Sequence, residues 1–431
     1  MLKRDFLSRR KSIVGAIALA AFLIRLGAIA WTQSYLIPPD RDHFAFGYES
    51  GRIARSLAVG DGFSSPMPFP TGPTAHLAPV YPLLLSGIFR LFGVYTASSA
   101  IAAFVMNSAA DALTCVILFY LGSAIFGEIE GLLAAALFAL YPTAIWFASG
   151  TIWDTSVLAL CLAALALWFY RQPDDPPATQ YIVTGLWLGL GGLVNPTICL
   201  TGSMGLLWMW HRLAGRGPER FWKPGLAAAC AGLVLLPWMI RNAVMVHEFT
   251  PRSAFGVNFR QGNSQAAVEA GNGVFQQAIA APDSPAEGER MRELGEAAYD
   301  RECLREGLAF VRANPDKFFY LTWVRIRGWW LGYNSEWNSS FHVGRDLTFW
   351  KRALASIWLP FLVAGIALAI RARRPVFLLT AMILVYPVPY YFTIVSMRYR
   401  FPIEPLILVI VAFFLTEIFR RSRAFWAEKS E

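Results

Sequence analysis

Apolar runs of about 20 residues recur along this chain, joined by short polar segments, and each is long enough to cross a hydrocarbon layer of ~30 Å as a helix. The runs cover, approximately, 14–36, 98–121, 131–148, 152–170, 181–195, 196–212, 225–243, 349–370, 376–394 and 403–420. A further run, 79–95, is short and contains Arg90. Treating it as a helix lying at the membrane interface predicts ten spans. This reading puts four basic clusters on one side: Lys3 to Lys11, Arg212 to Lys223, Arg371 to Arg374, and Arg420 to Arg423. Positive charge gathers on the cytoplasmic side of membrane proteins, so both termini are expected there. Asn195-Pro196 separates two spans that would otherwise form one overlong helix.

Two large segments then fall on the opposite face. The first, about 37–97, contains an amphipathic helix with Phe46, Ile53 and Leu57 at near-helical spacing, closed by Gly60 and Gly62. The second, about 247–345, begins as a Gly-, Asn- and Ser-rich loop. It continues as a charged helix from roughly 287 to 313, stopped by Asn314-Pro315, and then as an aromatic- and Arg-rich helix to about Trp330. The expected division is a membrane module over 1–243 that includes the first outer loop, an outer helical segment over 244–348, and C-terminal membrane hairpins with a tail over 349–431. No internal repeat is visible.

Composition agrees with an all-α polytopic membrane protein. Apolar residues make up 56% and charged residues 16%, which excludes a soluble enzyme, a disordered chain and a small disulfide scaffold. The net charge of +9 resides in the short basic joints, while 247–345 is near neutral; this argues against nucleic acid. The basic start and uncleaved first run read as a retained span. The five cysteines form no CxxC pair, and neither HExxH nor a P-loop occurs, so zinc and cytoplasmic nucleotide are unsupported.

Acids near the outer face carry the chemistry: Asp40, Asp42 and Glu49 in the first outer loop, and Asp154 in the turn GTIWDTS. Position alone does not separate a functional Asp154 from one that caps the helix beginning at Thr155. Asp111 lies within a span, where an inter-helix hydrogen bond is the favoured role. Outer arginines form a second set: Arg241 in PWMIRN, and Arg398 and Arg400 in SMRYRFPIEP. Their guanidinium forks suit phosphate, with anchoring to lipid headgroups as the alternative. Glu404 is either a substrate ligand or the ion-pair partner of Arg400. His43, His76 and Tyr399 are further candidates for substrate contact, solvated loop positions being the bland reading of the histidines. Gly189, Gly191 and Gly192 fall inside a span, where small residues permit close helix packing.

In order along the chain, these residues resemble the GT-C superfamily of polytopic glycosyltransferases. The nearer resemblance is to the bacterial branch containing dolichyl-phosphate-mannose-protein mannosyltransferases and the lipid A aminoarabinose transferase. The marks are Asp42 to Phe63 with Ala54, Leu57, Gly60 and Gly62; AHLAPVYPLLLSGIFRLFG; Tyr141-Pro142 ahead of Asp154; PWMIRN; FVRANPDKF; and RYRFPIEPL.

The resemblance implies a GT-C-like bundle and a polyprenyl-phosphate-linked sugar as donor. It also implies a lipid, glycan or protein acceptor and an active site at the outer face of a bacterial cytoplasmic membrane. By resemblance Asp42 is the catalytic acid of the first loop and Asp154 a supporting acid. Phe46 stands where the family usually has its acid, flanked by Asp42 and Glu49, so the base lies between those two, with Asp42 preferred. Arg398, Arg400 and Arg241 would hold the donor phosphate, and Asp40, His43, His76, Tyr399 and Glu404 would line the substrate. A single displacement would invert the anomeric carbon. No cofactor is required, and a divalent ion at the acid cluster is left open. An O-antigen ligase or polymerase, a secondary transporter and a non-catalytic lipid-binding protein are the rival readings.

Overall fold

The computed structural model describes residues 2–36, 46–215, 217–269, 284–331 and 356–428. The chain opens with α1 (Leu2–Thr32), and the first loop carries α2 (Glu49–Val59) and α3 (Val80–Phe92). Then follow α4 (Ala97–Ile125), α5 (Glu128–Ala139), α6 (Pro142–Gly150), α7 (Thr155–Tyr170), α8 (Ala178–Val194), α9 (Thr197–Arg212) and α10 (Glu219–Met245). The outer segment folds as α11 (Phe255–Gly262), α12 (Gln265–Glu269), α13 (Pro285–Leu294), α14 (Glu296–Ala313) and α15 (Pro315–Leu331). The C-terminal part adds α16 (Trp358–Arg371), α17 (Phe377–Val385), α18 (Val388–Phe392), α19 (Met397–Arg400), a 3-10 turn and α20 (Glu404–Glu428). The fold is all-α, as expected, and among the described residues the β geometry is one isolated bridge between Ser64 and Pro73.

Prolines punctuate the apolar runs. Asn195-Pro196 ends α8 as the sequence predicts, and the Asn195 carboxamide oxygen accepts from the Thr197 N–H at 3.1 Å to start α9. The run 131–148, expected as one helix, is instead two, α5 and α6, bent by 48° ahead of Pro142. Proline's missing N–H is harmless at the first position of a helix, so the chain restarts there in a new direction. Gly295, at φ +78°, likewise splits the expected 287–313 helix into α13 and α14. By length and composition α1, α4, α10 and the α19–α20 stretch can each cross a membrane, and the bent α5/α6 pair makes a fifth candidate. The remaining apolar helices are shorter. Among the described residues, helix length thus accounts for four or five of the ten expected spans. At ~20 Å, α3 is shorter than a ~30 Å hydrocarbon layer, as are the other short apolar helices.

The helices run between two ends with different chemistry. At one end Arg420 pairs with Glu130 at 2.6 Å, the Tyr170 hydroxyl donates to the Pro375 carbonyl at 2.7 Å, and Arg212 meets Asp174. Three of the expected basic clusters, those around Arg212, Arg374 and Arg420, belong to that end. Midway, Arg25 of α1 and Asp111 of α4 form a fully buried ion pair at 2.9 Å, the inter-helix role favoured for Asp111. Close packing relies on glycine: a Cβ on Gly185 of α8 would fall 2.3 Å from the Ala227 carbonyl oxygen of α10, and one on Gly189 2.5 Å from Val234. The opposite end carries α2, α3 and the outer segment. There Asp300 accepts from the Val257 N–H at 2.9 Å and the Gly256 N–H at 3.1 Å, capping α11. Arg260 binds Glu287 and Glu306, and Arg325 binds the carbonyls of Gly262 and Tyr391.

Candidate functional site

A cleft enclosing about 510 Å³ of empty space, part of it open to solvent, opens at the end of the bundle away from the basic clusters. Its walls come from the first loop (Ser50, Leu77, Ala78, Tyr81), the start of α7 (Asp154, Thr155), and the α8–α9 break (Val194, Asn195). The outer segment adds Arg252, and the C-terminal part adds Tyr386, Tyr390, Arg398, Tyr399 and Pro402. Each of those chain segments is a helix end, a break or a loop.

Asp154 lies just before α7 with helical φ and ψ, and its carboxylate makes no cap hydrogen bond. It faces Arg398 instead, at 3.9 Å, with its side chain 20% exposed. The Arg398 guanidinium also sits over the Trp153 ring, 4.6 Å from its centre, so aromatic and carboxylate together orient it. The capping role left open by position is therefore not the one adopted. Glu49 opens α2 after a tight turn in which Gly47 has φ +85°; a Cβ there would fall 2.1 Å from the Ile152 carbonyl oxygen. That contact presses the start of α2 against the turn leading into Asp154. Burial raises the Glu49 carboxyl, but Arg398, His76, its own backbone N–H and Arg52 together hold it below the ordinary glutamate value. His76 is buried, and burial pushes its imidazole down to about 4 against the pull of Glu49, with Arg252 and Arg398 adding repulsion.

The other predicted residues are distributed as follows. Tyr399 lines the cleft and stacks on Tyr390 at 4.9 Å between ring centres. Arg400 is 2% exposed, pairs with Glu404 at 3.2 Å and donates to the Trp329 carbonyl at 2.9 Å, so Glu404 is its ion-pair partner within the bundle. Arg241 donates to the carbonyls of Phe63 and Thr74 and lies over the Phe63 and Trp238 rings, clamping the first loop to α10. Asp40, Asp42 and His43 lie outside the described residues. Among the described residues no three His, Cys, Asp or Glu side chains group to hold a metal ion.

Arg252 is the charged cleft residue that sequence reading missed, and Tyr81, Tyr386 and Tyr390 are uncharged ones. The Arg252 Nε donates to the His76 carbonyl at 2.9 Å, and no second hydrogen-bond or ion-pair partner is found for its guanidinium among the described residues. It stands in a loop of mixed polar residues with no motif around it. Its position beyond the outer end of α10 was the one available signal.

Residues 76–240 match the family model described as dolichyl-phosphate-mannose-protein mannosyltransferase. No curated protein sequence matches the chain. Among solved structures, the archaeal oligosaccharyltransferase AglB from Archaeoglobus fulgidus, in complex with an inhibitory peptide and a dolichol-phosphate, is similar at TM-score 0.51 and 16% identity, covering 98% of this chain and 51% of that one. The Archaeoglobus fulgidus oligosaccharyltransferase tethered to an acceptor peptide matches at TM-score 0.52 and 14% identity, over 96% of this chain and 50% of that one. ArnT from Cupriavidus metallidurans bound to undecaprenyl phosphate matches at TM-score 0.40 and 12% identity, over 94% and 77%. The chain thus spans about half the length of the oligosaccharyltransferases it resembles. Its fold is that of these oligosaccharyltransferases, and the family match is confined to residues 76–240.

Proposed function

We propose that, with the GT-C fold as premise, this chain transfers a sugar from a polyprenyl-phosphate donor to an acceptor hydroxyl, with inversion, at the outer face of a bacterial cytoplasmic membrane. One observation carries the reading: a single cleft, away from the basic clusters, is lined by Arg398, Arg252 and the Asp154 carboxylate, with Glu49 buried close enough behind it to feel the charge of Arg398.

In this reading the donor phosphate rests against Arg398 and Arg252. The acceptor oxygen attacks the anomeric carbon, the bond from that carbon to the phosphate oxygen breaks, and both of its electrons leave with the phosphate. The acceptor's proton passes to a carboxylate of the first loop, Asp42 by preference or Glu49, a contribution of about 10²–10⁴ in rate. Arg398 and Arg252 stabilise the charge that grows on the departing phosphate. Asp154 holds Arg398 in place for that task. The exposed Leu83, Leu84 and Leu91 of α3, with Phe319, Tyr320 and Trp323 of α15, offer apolar surface for the polyprenyl tail. The dolichol-phosphate held by the archaeal oligosaccharyltransferase is a ligand of the same class. Charge placement supports the orientation, with both termini cytoplasmic and the cleft outside.

The test is the thermal stability of the purified protein titrated with undecaprenyl phosphate. Binding to the folded state alone raises stability by RT ln(1 + [L]/Kd), about 2.7 kcal/mol at a hundredfold excess over Kd. The expected result is a shift in wild type that Arg398→Ala loses. An unshifted wild type would overturn the reading. With a turnover assay in hand, NMR of the product anomer tests inversion.

A further inference from the structure

Glu296 begins α14 in the outer segment, yet its carboxylate is enclosed by donors from two other parts of the chain. One oxygen accepts from the Ala75 N–H at 2.7 Å and from the Ser253 hydroxyl, and the other accepts from the Thr74 hydroxyl. Thr74 lies 222 residues earlier in the sequence. Around this carboxylate two stretches of backbone are zipped together. The Ser253 N–H donates to the Ala75 carbonyl at 2.9 Å, and Arg252 Nε donates to the His76 carbonyl at 2.9 Å.

All the clasped residues are buried: Thr74 and Ala75 at 0%, Ser253 at 2%, Glu296 at 7%. A carboxylate is costly in such a place unless every lone pair is engaged, and here donors reach both oxygens. What those donors hold together is one wall of the cleft. Arg252 is the residue before Ser253, and Leu77 and Ala78 follow directly after His76.

We propose that Glu296 is a positioning residue for donor binding: by clasping Thr74 and Ala75 to Ser253, it fixes Arg252 in the cleft wall, where that guanidinium takes the anionic phosphate. The inference rests on the lipid-phosphate reading above. It makes the outer segment part of the donor site. It also separates two arginines by role: Arg398 is oriented from within the bundle by Asp154 and Trp153, and Arg252 from outside it by Glu296.

The experiment is a double-mutant cycle on the affinity of the full chain for undecaprenyl phosphate, with wild type, Glu296→Gln, Arg252→Ala and the double variant. Loss of one charge-assisted hydrogen bond predicts about a tenfold weaker Kd for Arg252→Ala. Glu296→Gln is expected to weaken binding comparably in the wild-type background and not at all once Arg252 is gone. Equal losses in both backgrounds would overturn the proposal, because Glu296 would then act on the fold and not through Arg252. So would an Arg252→Ala variant that binds as wild type does. Ser253→Ala removes one donor of the clasp and is the milder variant should Glu296→Gln fail to fold; wild-type affinity there also overturns the proposal. An absence of binding by wild type itself would instead overturn the lipid-phosphate reading.

Discussion

His76 is 6% exposed, and its Nδ1 has no hydrogen-bond partner among the described residues. An imidazole that takes its proton near pH 6.5 in the unfolded chain takes it only near 4 in the fold. Between those values the unfolded state binds more protons, so the stability contributed by the neutral ring is complete above pH 6.5 and is lost as the pH falls toward 4. At pH 5 the loss is about 2 kcal/mol. Melting curves at pH 7 and pH 5 should show that loss in wild type and much less of it in His76→Gln; equal losses would rule the idea out. Within the bundle, Asp111→Ala leaves the Arg25 charge buried without its partner and is expected to cost about 3–5 kcal/mol. The double change Arg25→Met/Asp111→Leu should cost less, as denaturant unfolding would show.

The same scale shows what sequence could and could not reveal. Asp154 and Arg398 were legible as candidates because charged side chains at the end of an apolar run need water or a partner, and Glu49 because it is an acid of the first outer loop. Arg400 was not separable from Arg398 by type, only by geometry: two residues apart on a helical turn, side chains project about 200° from one another. One therefore reaches the cleft and the other is buried against Glu404.

Among the elements, the turn before α2 is constrained in two ways at once. Gly47 combines a left-handed φ of +85° with backbone contact to Ile152, so Gly47→Ala meets both strain and a clash. The expected cost is about 1–3 kcal/mol, with weaker binding of undecaprenyl phosphate, since the start of α2 and the Asp154 turn would be pushed apart. A variant with unchanged melting and affinity would refute this account. Hydropathy located most helices because burial in a bundle and burial in a membrane ask for the same residues. It passed over the bend between α5 and α6, where apolar residues continue through the break and only Pro142 records it. Gly295 was equally silent, because its positive φ is a property of the backbone rather than of the hydropathy pattern.

For the whole molecule, the two ends predict the orientation. In a background without the native cysteines, Arg374→Cys should react with a membrane-impermeant maleimide only in inverted vesicles, and Asp61→Cys only from the outside. The opposite pattern would reverse the proposed topology and place the cleft in the cytoplasm. The ion pair Arg420–Glu130 joins sequence-distant parts at one end, as Asp154–Arg398 does at the other.

The clasp between Thr74 and Glu296 has a consequence for biosynthesis. At about 5–20 residues per second, the 222 residues between them take roughly 11–45 s to make. During that interval the first loop waits without the carboxylate that binds it, and Arg398 arrives later still. Chains stalled before the outer segment emerges would therefore have helices but no functional cleft, which makes substrate binding one of the last properties a newly made chain acquires.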